Sequence, residues 1–146
     1  MERSFHMLLY RAFHAQRSYL GRHLSEIGLG AGQPKLLTYL VNNGPCTQKT
    51  LADYFEIDPA AVCRMLDALE RNGFIVRSAA KRDRRSGLIE LTDAGRAAQS
   101  AWQVRCEELE QHMLQGFTEE EQAQFSQYLN RAYRNLRQVN GEEEAP

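Results

Sequence analysis

Lys81, Arg82, Arg84 and Arg85, with Asp83 among them and Gly87 closing the run, stand between the apolar stretches Phe74-Ile75-Val76 and Leu88-Ile89-Glu90-Leu91. Guanidinium and ammonium groups at such density bind phosphate oxygens through charge-assisted hydrogen bonds. Two β-prone runs joined by a basic loop ending in glycine predict a hairpin whose tip carries those cations away from the protein body. Taken alone, such a loop reads better as an ordinary solvated turn. The segment before it tips the balance, because a helix with clear start and stop signals leads straight into the hairpin.

Thr47 can cap a short helix bearing Leu51, Ala52 and Phe55, and Asp58-Pro59 opens another through Val62, Leu66 and Leu69 to Asn72-Gly73. Only Glu56 and Ile57 separate the two, so they read as a helix-turn-helix, and the hairpin that follows completes a winged one. The outward side of the second helix offers Ala60, Ala61, Arg64, Asp67 and Ala68. Small residues let a backbone approach a groove, and Arg64 has the reach for a phosphate or a guanine edge. Thr47, Gln48 and Lys49 sit at a helix N-terminus, whose free amides suit phosphate; for Thr47, capping alone is the competing role. For Arg71 and Arg77, a solvated position and a DNA contact both remain open.

The flanking segments must hold this unit. Residues 4–27 repeat apolar side chains (Phe5, Leu8, Leu9, Phe13, Leu20, Leu24, Ile27) at helical spacing. Gly28-Leu29-Gly30-Ala31-Gly32 resembles a phosphate loop only superficially, since Gln33 follows and no strand precedes it; it reads as a flexible connector. A second helix starts at Pro34 and stops at Asn43-Gly44-Pro45. Thr92-Asp93-Ala94-Gly95 opens a long helix to about Phe117, on the order of 39 Å, and Thr118-Glu119-Glu120-Glu121 is a capping box for the last one. These elements predict one mostly α domain over 1–146, with about six helices and a β-hairpin wing. In it, 34–91 forms the winged helix-turn-helix region, 92–117 a connecting helix, and 4–27 and 118–140 the helices of dimerisation. Dimerisation follows because the first and last helices carry apolar stripes with no sheet to cover them.

A chain of 146 residues with net charge −1 has no overall attraction to a polyanion. The distribution differs from the sum, because the basic residues concentrate in 77–85 while nine glutamates lie from Glu107 onward. Screening confines the useful field to roughly 8–10 Å, so a local patch suffices. Cys46, Cys63 and Cys106 are too scattered for a disulfide framework or metal pairs and are expected as reduced thiols. With no apolar run of membrane length and no signal-peptide pattern at the start, the expected location is the cytoplasm, with no membrane partner. His6, His14, His23 and His112 lack metal spacing, and no nucleophile elbow or phosphate loop appears. An enzyme is not expected, nor a metal or other cofactor.

Asp58-Pro59-Ala60-Ala61-Val62-Cys63-Arg64-Met65-Leu66-Asp67-Ala68-Leu69-Glu70-Arg71-Asn72-Gly73, with Asp83-Arg84-Arg85-Ser86-Gly87 leading to Leu91-Thr92-Asp93-Ala94-Gly95, resembles the MarR (multiple antibiotic resistance regulator) group of bacterial transcription factors. The resemblance spans nearly the whole chain. It implies a homodimeric regulator of transcription, acting as a repressor on double-stranded DNA at a pseudo-palindromic operator. It assigns Pro59, Ala60, Ala61 and Arg64 to the major groove and Asp83 and Arg85 to a wing in the minor groove. An Arg at a hairpin tip suits a narrow minor groove, and a nearby carboxylate can orient it; Lys81, Arg82 and Arg84 then fall to phosphates. Cys63 stands where relatives often carry Ser or Thr, which removes a hydroxyl contact.

The resemblance further implies a small phenolic or other amphipathic anionic effector; His6, Phe13, Tyr39 and Trp102 are the candidate walls of its pocket. Two alternatives stand beside this reading. Cys63, with Arg64 beside it, could serve as a redox-sensing thiol, against the plainer role of a small residue tolerated at the site. A winged helix that binds only protein is the other, though it gives no reason for a basic wing tip.

Overall fold

The computed structural model describes residues 4–78 and 87–141. Ser4 accepts a hydrogen bond from the Met7 amide and opens α1 (Phe5–Ile27), which Gly28 ends in the left-handed conformation. The glycine-rich connector is not the flexible segment expected. Leu29 is buried in the core, and Gln33 turns back to accept the Gly30 amide at 2.9 Å, so the chain is held between two glycines with positive φ. α2 (Gln33–Asn43) follows, with Pro34 in its first turn.

Thr47 caps α3 (Gln48–Phe55), and Asp58 caps α4 (Pro59–Arg71). The turn between them places Glu56 at φ 54°, the one non-glycine residue with positive φ among those described. The Glu56 and Ile57 amides close back on α3 carbonyls, which makes the tight corner without a glycine. β1 (Ile75–Arg77) pairs antiparallel with β2 (Ile89–Leu91), in register Ile75 to Leu91 and Arg77 to Ile89. Cys46 adds a bridge to Ile89, tying the hairpin base to the segment before α3.

Leu36, Leu37, Leu51, Val62, Leu66, Leu69, Ile75 and Ile89 are fully buried together. Each contributes about 1.5–3 kcal/mol by leaving water, so α2, α3, α4 and the hairpin share one core. α5 (Asp93–Met113) joins it through Ala98. Thr92 caps α5 through the Gly95 amide, and the same hydroxyl donates to the Gly73 carbonyl at 2.6 Å. α5 ends at Met113, short of the expected Phe117, because Gly116 turns the chain at φ 85°. Its 21 residues span about 32 Å rather than 39 Å. This mostly helical winged helix-turn-helix is the fold class expected.

The chain divides into two compact units, residues 1–109 and 110–146. In the second, Thr118 and Glu121 exchange the reciprocal hydrogen bonds of a capping box at the start of α6 (Glu119–Val139), and Phe117 meets Phe125 edge-on. Neither α1 nor α6 has a buried residue. Among the described residues no helix is long and apolar enough to cross a membrane.

Candidate nucleic-acid interface

α4 buries Val62, Leu66 and Leu69 on one side, which leaves Pro59, Ala60 and Arg64 exposed on the other and Ala61 half-buried at its edge. Proline at the first helical position and two alanines keep the helix start narrow, so a groove could receive its backbone closely. Arg64 has no hydrogen-bond or ion-pair partner among the described residues, and its guanidinium is available to a ligand.

At the start of α3 the three expected residues separate. Thr47 accepts the Thr50 amide at 3.2 Å and its hydroxyl lies 3.0 Å from that of Thr50. The Lys49 ammonium is exposed and donates to Asp53 at 2.7 Å, a hydrogen bond that raises its pKa. Gln48 is only 4% exposed, and its amide donates to the Pro59 carbonyl at 3.3 Å. Its side chain therefore links α3 to the first residue of α4, and only its backbone amide remains for an anion.

Arg77 does not take the solvated position left open for it. Its side chain is 10% exposed and its guanidinium donates to Asp67 and to Glu70, at 3.2 Å for the latter. Burial works against its charge, but the hydrogen bonds it donates to the two carboxylates outweigh it and raise the pKa. Asp67 is thus held toward the strand instead of standing on the outward face. The signal was legible: Ile75 is a core residue, and in a strand every second residue shares a face, so Arg77 points inward with it. Asp67 and Glu70, one turn apart on the helix feeding that strand, are the partners such a cation requires.

Cys63 is half-buried, and its thiol donates to Asp67 Oδ2 at 3.9 Å; the neighbour seen is a carboxylate where a cation was expected. Beyond the ladder, Ser78 and Leu88 close the hairpin base through hydrogen bonds of 3.0 and 2.9 Å. Lys81, Arg82, Asp83, Arg84 and Arg85 lie outside the described residues.

A cavity of about 480 Å³ opens between α1, α2, α3 and α5 in the first unit. Tyr39 and Trp102 line it as expected, joined by Leu24, Tyr54, Phe55 and Cys106. Tyr39 packs on Tyr54 with ring centres 4.8 Å apart, and Lys35, the charged residue of the lining, lies 5.7 Å from the Phe55 ring centre. Phe55 reads from the sequence as an apolar helix residue, and nothing in the spacing singles out Tyr54. His6 and Phe13 are exposed on α1 and are not part of this wall. Among the described residues no group of three His, Cys, Asp or Glu side chains could hold a metal ion.

Residues 29–86 match the model of the MarR family. The chain is 30% identical over 103 residues to the HTH-type transcriptional regulator YwoH of Bacillus subtilis, covering 70% of this chain and 74% of that protein. It superposes on a crystal structure of MarR with TM-score 0.78 and 26% identity, over 97% of both chains. A mutant MarR from E. coli complexed with operator DNA gives TM-score 0.73 at 26% identity, over 86% of this chain and 91% of that one.

Proposed function

Because this chain belongs to the MarR family of transcriptional regulators, which are not enzymes, we propose that it represses transcription by gripping a pseudo-palindromic operator as a homodimer. The observation that carries this reading is the exposed start of α4, with Arg64 unpaired among the described residues, on a helix firmly backed by the core. Pro59, Ala60, Ala61 and Arg64 enter the major groove. Arg85 enters the adjacent minor groove, oriented by Asp83, while Lys81, Arg82, Arg84, Lys49 and the amides at the start of α3 take phosphates. The relative solved with operator DNA supports the DNA partner.

Exposed apolar side chains support the dimer. Phe5 is 70% and Leu136 60% exposed, with Leu8, Phe13, Phe125 and Leu129 open on the same two helices. A second copy covers them and sets the recognition helices about 34 Å apart, one turn of duplex.

The aromatic cavity supports an effector. A phenolic carboxylate stacks on Tyr39 and Trp102 with its charge toward Lys35, and it acts by binding unequally to DNA-fitting and non-fitting forms. The redox alternative at Cys63 is less well supported, since the contact seen there is with Asp67.

Selecting bound fragments from the host genome, then measuring anisotropy with the recovered duplex, tests the whole reading. Expected are a dimer by mass photometry, preference for the recovered site over random duplex, and binding that weakens steeply with salt. A monomer that shows no preference, or binding indifferent to salt, would mean that this chain is not a DNA reader of this kind.

A further inference from the structure

We infer that Arg77 is a positioning residue for DNA reading: by holding Asp67 and Glu70 of α4 it locks the wing strand to the recognition helix, so that the two move as one body. The inference rests on the DNA-reading function proposed above. β1 and β2 have three residues each, and a two-stranded ribbon of that length is marginal alone. Ile75 and Ile89, at opposite ends of the three-pair ladder, bury the inner face of the ribbon. Arg77, paired with Ile89, is the last residue of β1 before the chain leaves for the wing, and its fork reaches two carboxylates one helical turn apart. A planar guanidinium holding two acceptors fixes an angle as well as a distance, which a single lysine contact does not.

Both partners lie on the recognition helix itself, so the wing angle is set against the element that reads bases. Breaking the clamp from either end should loosen the same joint. This separates positioning from charge, because Arg77→Met removes a positive charge near DNA whereas Asp67→Asn with Glu70→Gln removes two negative ones. Binding to random duplex reads charge and moves in opposite directions: weaker for the first variant, tighter for the second. Operator preference reads alignment and falls in both.

The test measures operator and random-duplex affinity at fixed salt for the full chain, with amide hydrogen exchange on the free protein. Expected is an operator-to-random ratio reduced about tenfold in each variant, and exchange at least tenfold faster at Ile75–Arg77 and Ile89–Leu91 while α2 is unchanged. Arg77→Lys, which keeps the charge and loses the fork, gives an intermediate loss and covers the case in which Arg77→Met fails to fold. A ratio that falls only in Arg77→Met would make Arg77 a direct DNA contact and overturn the inference. So would an unchanged ratio in both variants, or unaltered exchange in the ribbon. If the unsubstituted protein itself has no operator preference, the DNA-reading function fails, while the exchange result still judges the clamp.

Discussion

Gly95, in the first turn of α5, lies against the carbonyl oxygen of Phe74, so close that a Cβ there would collide with backbone. The same turn is anchored by Thr92, whose hydroxyl bonds the carbonyl of Gly73. The hairpin entry and the start of α5 are thus packed backbone to backbone. Gly95→Ala is expected to destabilise the protein by about 1–3 kcal/mol or more, because the obstacle is main chain and cannot rotate away. Urea unfolding measures this; an unchanged midpoint would show that the helix start shifts freely.

Arg64→Ala should weaken operator binding by about 1–3 kcal/mol while leaving folding stability within about 0.5 kcal/mol, since the side chain is exposed and unpaired among the described residues. Anisotropy titration and thermal unfolding on the same sample separate the two quantities. Equal affinity would remove Arg64 from the groove.

Arg85→Ala is expected to lose about 1–3 kcal/mol of operator affinity, as for one well-aligned groove contact. Its effect should be largest on operators with an A·T-rich flank, where a narrow minor groove has the most negative potential. Replacing that flank with G·C pairs should shrink the difference between the variant and the parent. If the difference is the same on both flanks, Arg85 binds phosphate and does not insert.

Burial pushes the Cys46 thiol above its usual pKa. The folded state therefore holds this proton more tightly than the unfolded chain does. The resulting stability is fully present below the usual thiol value of about 8.5 and is lost as pH rises through the higher folded value. Cys46→Ala should flatten the alkaline limb of a stability-against-pH curve. Alkylation of Cys46 at pH 8 should also be slower than that of a cysteine in a free peptide, as mass spectrometry of the modified chain would report.

Thr118→Ala should cost the last helix about 1 kcal/mol, because it removes the Thr118 hydroxyl that accepts the Glu121 amide and the reciprocal bond depends on the same geometry. Faster amide exchange confined to the first turn of α6 is the expected sign. Exchange that stays at the parent rate would show that water serves those amides as well.

Local signals made most of the fold legible. Thr47, Asp58-Pro59, Thr92 and Thr118 cap helices where hydroxyl or carboxylate precedes a free amide, and the periodic leucines of α2 and α4 mark the faces that the core covers. The exposed start of α4 was equally legible, because proline, alanine and arginine opposite a leucine stripe have nowhere to go but solvent.

Tertiary packing decided what depends on residues distant in sequence. Gln48 is drawn inward by the carbonyl of Pro59, eleven residues away, and Arg77 is captured by Asp67, ten residues before it. Leu29 enters the core from a stretch whose glycines suggested mobility, and Tyr54 and Phe55 face a cavity that exists only once α1, α2, α3 and α5 surround it. Caps and periodicity are set by neighbours within four residues, which the chain's order specifies directly. Whether a polar side chain meets water, a carboxylate or a carbonyl depends on which surfaces close over it, and only the packed structure supplies those partners.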